Sequence, residues 1–264
     1  MSSSFSYTQR IQQLAQQWKS KPKKIERLSK QELRQLSINE PTNLQVKLAS
    51  SPYAAILASP IRYCTFHRKH FPSYLLMRFG IGLHPTTRKQ WAYPTVQPDR
   101  RQDNIGKGHY VKLNHDVLEQ VQRKEHKRLF RGQAEYAPGM TSHIESLMME
   151  CILQDMARTE YISIKQDTTL DAYDWNAYQC ILVLSDQWFA KLNESTSLTC
   201  YDLSNPKWKP LHDMLRPLTK YDAVAIPKTL DTVSLAIQLF RFHQLINSSL
   251  SSTSSSPSIK MKRK

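Results

Sequence analysis

No run in this chain approaches ~18 consecutive apolar residues, so a transmembrane helix is excluded. No short apolar stretch follows an N-terminal basic cluster, and a secretory signal is not expected. Cysteine is sparse. Cys64, Cys151, Cys180 and Cys200 lie far apart with no C-x-x-C pair, which fits structural thiols in a reduced or weakly oxidising compartment. The phosphate-loop pattern G-x-x-x-x-G-K-[ST], the dinucleotide fingerprint G-x-G-x-x-G and the nucleophile elbow G-x-S-x-G are all missing. Bound nucleotide cofactors and covalent nucleophiles therefore have no motif, and no cofactor is expected.

Acidic residues are missing from one end. Residues 1–25 contain no Asp or Glu but carry Arg10, Lys19, Lys21, Lys23 and Lys24. Tyr7, Ile11, Leu14 and Trp18 recur at helical spacing. A basic, amphipathic, acid-free start has the form of a mitochondrial transit segment. The same residues also describe a basic arm that binds RNA directly.

Charge is segregated along the whole chain. Residues 1–135 hold 24 Lys and Arg against 9 Asp and Glu, a balance of +15; residues 136–264 hold 13 of each. A phosphate-facing half produces this asymmetry, because Lys and Arg gain affinity by releasing counterions condensed on a polyanion. An anionic lipid surface is the alternative, with peripheral inner-membrane association.

Residues 51–96 interleave aromatics with cations. Tyr63, Phe66, Phe71, Tyr74, Phe79, Trp91 and Tyr93 lie among Arg62, Arg68, Lys69, Arg78, Arg88 and Lys89. Aromatic and guanidinium planes are what unstacked RNA bases stack upon; equally, the aromatics can form a core with the cations as its solvated face. Residues 97–112 read as a polar loop. Asn114 is an expected N-cap, followed by a helix with Val117, Val121 and Leu129 on one face. Arg123, Lys124, Lys127, Arg128 and Arg131 crowd its C-terminal end, more cations than a helix dipole requires.

The second half changes period. After Pro138-Gly139, Ser142 and Glu145 fit a capping box for a core helix running to about Ala157. Tyr178 to Ser185 is a nearly unbroken apolar run, expected to be a central strand covered on both faces. Residues 222–226 form a second apolar strand, and Asp231 is expected to open the last helix. The fold class expected is α/β (or α+β): a basic helical and extended N-terminal half packed on a small α/β core, with apolar strands near 178–185 and 222–226 and a closing C-terminal helix. Residues 1–25 are the transit segment or basic arm, and 26–247 a single domain with a basic half (26–135) and an α/β core (136–247). Residues 248–264 are a Ser-rich, basic, disordered tail.

Metal chemistry has two openings. Cys64, His67 and His70 are spaced C-x-x-H-x-x-H without a fourth ligand at matching spacing, so no metal site is assigned. Asp171, Asp174, Asp186 and Asp202, with Glu145 or Glu150, supply carboxylates of the type that holds Mg²⁺ in a nuclease, but they form no recognisable motif. No catalytic residue is assigned, and the chain reads as an accessory protein rather than an enzyme.

The stretch Tyr53-Ala54-Ala55-Ile56-Leu57-Ala58-Ser59-Pro60-Ile61-Arg62 resembles the fungal mitochondrial family called Required for respiratory growth protein 8. That family carries a similar tyrosine, then leucine-alanine-serine-proline, an apolar residue and arginine, after a basic N-terminal region. Tyr53, Leu57, Ala58, Ser59, Pro60 and Arg62 match it. The resemblance implies a protein of the mitochondrial matrix needed for respiration and for maintaining and expressing the mitochondrial genome. It carries over no catalytic residue.

Three functions follow as expectations. The first is a non-catalytic factor that binds mitochondrial tRNA or rRNA, through Arg62, Arg68, Lys69, Arg78, Arg88, Lys89, Arg123, Lys124, Lys127 and Arg128, in RNA processing or in association with the mitochondrial ribosome. The second is a metal-dependent nuclease of mitochondrial RNA. The third is a scaffold for other gene-expression proteins without RNA contact of its own.

Overall fold

The computed structural model describes residues 28–97, 106–165 and 173–247. The chain divides into two compact units, Met1–Asn43 and Leu44–Lys264. The first contributes helix α1 (Lys30–Asn39). Ser29 caps it: its hydroxyl accepts from the Glu32 amide while Glu32 accepts from the Ser29 amide, a reciprocal capping box.

The second unit is mixed α/β. It begins with α2 (Leu44–Ala49), α3 (Pro52–Ala58), β1 (Ile61–Cys64) and β2 (Lys69–Pro72). Strands β3 (Leu76–Leu83), β4 (Gln90–Thr95) and β5 (His109–Lys112) follow. Next come α4 (His115–Gln120), a π-helical turn (Val121–Glu125) and α5 (His126–Leu129). The remainder is α6 (Met140–Met156), β6 (Ile162–Ile164), β7 (Tyr178–Val183), α7 (Asp186–Ser195), β8 (Thr199–Asp202), α8 (Lys209–Leu215), β9 (Ala223–Pro227) and α9 (Val233–Asn247).

Three sheets form. β1 and β2 make a hairpin, β4-β3-β5 an antiparallel sheet, and β6-β9-β7-β8 a mixed sheet in which only β7 and β8 run parallel. Parallel neighbours need a crossover, and α7 supplies it. The expectation for Tyr178–Ser185 holds in detail. Cys180, Leu182 and Leu184 face a core shared with α6, α8 and α9, whereas Ile181 and Val183 face Trp188 and Leu192 of α7. A strand covered on both faces has no polar side, hence its unbroken apolar run.

Three expectations are corrected. Residues 97–112 are not all loop, because His109–Lys112 is strand β5, paired with β3 from Leu76↔Lys112 to Phe79↔His109. Helix α6 starts at Met140, directly after a left-handed Gly139 with φ of 73° and no side-chain cap. Ser142 therefore lies inside the helix, and Glu145 pairs with Lys207 instead of closing a box. The last helix begins at Val233, after a Thr232 whose hydroxyl donates to the Pro227 carbonyl at 2.6 Å.

Arg241 of α9 joins this core to the β4-β3-β5 sheet. It is 2% exposed and donates to the backbone carbonyls of Tyr74 (2.9 Å), Leu76 (3.3 Å) and Val96. Gln179 of β7 likewise donates to the Ser50 carbonyl at 2.6 Å, tying the mixed sheet to the end of α2.

Two histidines make the fold acid-sensitive. Burial holds His109 and His243 below the ordinary imidazole value of 6.5. Both take up protons less readily in the fold than in the unfolded chain, so the unfolded state binds more protons as pH falls through 6.5. Stability is complete above pH 6.5 and declines as pH falls through it, by at most ~1.4 kcal/mol per pH unit for each histidine. The thermal midpoint should be lower at pH 5.5 than at pH 7.5, and equal midpoints would refute this account.

Candidate nucleic-acid interface

The candidate cations come from three segments, and the fold gathers two of those segments around the third. That third segment is the helical stretch from His115 to Leu129. Asn114 caps it, accepting from the Val117 amide at 3.1 Å. The π-helical turn adds a residue to the spiral. Val121, Leu129 and Phe130 all remain buried, while Arg123, Lys127 and Arg128 stay exposed. Lys124 lies on the same turn.

One side of the stretch meets the β1–β2 hairpin. Arg128 and its neighbour Leu129 share a cleft with Thr65 and Phe66 of the hairpin turn. Arg62, Arg68 and Lys69 belong to this hairpin and are exposed. The Arg62 guanidinium lies 5.9 Å from the ring centre of Tyr110 on β5, and the Thr65 amide donates to the Tyr110 carbonyl at 3.0 Å. Arg68 adopts a left-handed φ of 55° in the turn.

The other side meets the β3–β4 turn. Lys89 and Gln90 share a second cleft with His126, Lys127 and the segment Gly132–Tyr136. Arg88, exposed with φ of 53°, occupies the same turn. Lys89 pairs with Glu135 at 3.0 Å and Arg128 with Glu125 at 3.5 Å. Both pairs are largely exposed and contribute little stability, so these cations are only weakly held by their partners.

Arg78 does not belong to this surface. It is 4% exposed and donates to Thr95 Oγ1 and the Gly106 carbonyl, each at 3.2 Å. Its role is internal cross-linking. The aromatics divide similarly. Phe79 is fully buried, Phe66 and Phe71 pack against the core, and Tyr63 and Tyr93 are the exposed members.

The Tyr53–Arg62 stretch is a structural joint with an exposed rim. The Tyr53 hydroxyl lies 2.6 Å from Thr199 Oγ1, and its ring meets Phe240 of α9 edge-on at 5.8 Å. Buried Ser59 donates to the Ile56 carbonyl at 2.7 Å and accepts from the Tyr74 amide at 3.4 Å. Leu57, Ala58, Pro60 and Arg62 remain exposed.

The remaining candidates are dispersed. Cys64 is buried, its sulfur accepting from the amides of His67 (3.4 Å) and Lys112 (3.2 Å), whereas His70 sits edge-on against Tyr63. Asp174 accepts from the Asn176 amide, Asp202 holds Ser204, and Asp186 begins α7. Among the described residues, no group of three or more His, Cys, Asp or Glu is placed to hold a metal ion. No helix among them is long and apolar enough to cross a membrane. Asp171, the basic arm and the Ser-rich tail lie outside the described residues.

Fold and surface together define a mixed α/β protein with a basic helical ridge flanked by two basic turns. The chain belongs to the family Required for respiratory growth protein 8, mitochondrial, whose model matches residues 14–172. It is a mitochondrial protein needed for respiratory growth. The matched span contains the whole basic surface and the Tyr53–Arg62 stretch, and ends before the β7–α7–β8 crossover. No curated protein and no solved structure matches the chain.

Proposed function

We propose that this protein serves the expression and maintenance of the mitochondrial genome in the matrix by binding RNA, tRNA or rRNA, as a non-catalytic accessory factor. The observation that carries this reading is the convergence of Arg62, Arg68, Lys69, Arg88, Lys89, Arg123, Lys127 and Arg128, all exposed, on and around one helical ridge. A generally basic surface would spread its cations, yet residues 136–264 are neutral in sum. Binding to a mitochondrial tRNA precursor, measured on the full chain across a salt series, tests it. About six phosphate contacts predict a log–log slope near −4 for single-stranded contacts. A slope near zero, or no binding at low salt, would refute the reading.

A second reading has its own observation. Leu44, Leu48, Leu57 and Ile61 of the α2–β1 segment are exposed, Leu57 at 71%. Exposed apolar side chains in neighbouring elements support a protein partner, and with it a scaffold role within a gene-expression assembly or on the mitochondrial ribosome. A partner that is recovered after RNase treatment and lost on Leu57→Ser with Leu48→Ser would favour it.

A further inference from the structure

The cleft between the β3–β4 turn and the end of the ridge has more than charge. Its walls include Lys89, Gln90, Lys127, Gln133, Glu135 and Tyr136, and it encloses about 790 Å³. That lies within the range of small-molecule sites. Tyr136 stacks with His126 at 6.2 Å and 23° between planes, and with Phe130 at 6.1 Å and 26°. Backbone pairing fixes this wall. The Glu135 amide donates to the Gln90 carbonyl and the Ala92 amide to the Glu135 carbonyl, both at 2.9 Å, so the segment closes the open edge of β4.

Polar atoms in and behind the wall lack partners. Eight buried side-chain nitrogen or oxygen atoms among the described residues have none. Three of them are Tyr136 OH, His126 Nδ1 and Trp91 Nε1, and Trp91 bridges to Glu135. Each such group costs about 1–3 kcal/mol.

We infer that this cleft takes one unstacked base of single-stranded RNA, with guanine preferred. His126, which lines the cleft with Tyr136 stacked behind it, supplies the ring for stacking, and Lys89 and Lys127 supply cations for the flanking phosphates. Glu135 supplies the preference. Lys89 donates to its Oε1 at 3.0 Å, and each carboxylate oxygen, with two lone pairs, can accept a further bond. On its pairing edge guanine presents two adjacent N–H donors, N1–H and the N2 amino group, which match a carboxylate. Uracil presents a single N–H between two carbonyls, which a carboxylate repels. Gln90 and Gln133 can donate to the guanine carbonyl.

This inference rests on the RNA reading, and one experiment separates the two. Fluorescent hexauridylate, and the same hexamer with a single central guanine, adenine or cytosine, are titrated against the full chain at low salt and across a salt series. The guanine hexamer is expected to bind about tenfold tighter than hexauridylate, as one bidentate base contact would give. Glu135→Gln should reduce that ratio to below about twofold while hexauridylate still binds with its salt dependence. Tyr136→Phe keeps the ring that backs His126 and should retain most of the ratio, whereas Gln133→Ala, at the exposed rim, should lower it without affecting the fold. Steep salt dependence with equal affinity for all four hexamers would overturn the base-reading cleft and leave RNA binding intact. Absence of binding to any hexamer would overturn both.

Discussion

Arg241→Met should lower the unfolding free energy by about 2–5 kcal/mol, the cost of leaving buried carbonyls without their donor, partly offset because a guanidinium no longer has to be desolvated. The guanidinium is enclosed by protein, and its fork reaches three carbonyls on both sides of the β3–β4 pair. Methionine fills much of the same volume but donates nothing. The carbonyls of Tyr74, Leu76 and Val96 would then lose their donor inside the protein, at about 1–3 kcal/mol for each one left without a partner. Against a total stability of roughly 5–15 kcal/mol for a domain, that is a large share. Arg241→Lys retains the charge but places it at one point, so it should recover only part of the loss. Urea unfolding decides the matter. A midpoint shifted strongly down with an unchanged slope is expected, and an unfolding free energy within ~0.5 kcal/mol of the parent's would show the clamp to be dispensable.

Such a clamp was only half visible in the sequence. A lone arginine on an otherwise apolar helix face is legible, but its partners lie about 150 residues away in the chain. The apolar strands at 178–185 and 222–226 were legible because burial on both faces leaves no polar positions to confuse the reading. Strand β5 was not. His109 and Val111 turn inward and Tyr110 and Lys112 lie further out, so the alternation is real but begins on a polar residue. Ser142 and Glu145 have the right spacing for a cap, yet Gly139 turns the chain into the helix three residues sooner.

For the site, composition located the charge but could not sort it. Arg78 sits in β3 between Met77 and Phe79, all three buried, so strand alternation offered no outward position from which to judge it. Of the cleft around Tyr136, the sequence pointed only to Lys89 and Lys127. Its walls come from residues 89–90, 126–127 and 132–136, and none of these carries a motif. The pairing of Glu135 with Gln90 and Ala92 and the stacking of Tyr136 on His126 bring them together.

The sorting of cations has a direct consequence for binding. Changing Arg62, Arg68, Lys127 and Arg128 together to alanine should reduce the magnitude of the log–log salt slope by about 3, since each lost single-strand phosphate contact removes about 0.7. At low salt the affinity should fall by two or more orders of magnitude, from about 1 kcal/mol or less per exposed contact summed with the lost counterion release. All four side chains are exposed, and the one ion pair among them, Arg128 with Glu125, is a surface pair. The thermal midpoint should therefore stay close to the parent's. Arg78→Met should do the opposite. It removes one positive charge against four, yet Arg78 bonds to Thr95 and Gly106 inside the protein, so stability should drop while the salt slope of the folded fraction stays unchanged. The two variants measured side by side separate surface charge from total charge. If the fourfold change leaves the slope intact, the ridge is not where RNA binds, and the basic residues of 1–25 become the place to look. If both variants lower the slope by the same amount per charge removed, the interaction follows net charge alone and no defined interface exists.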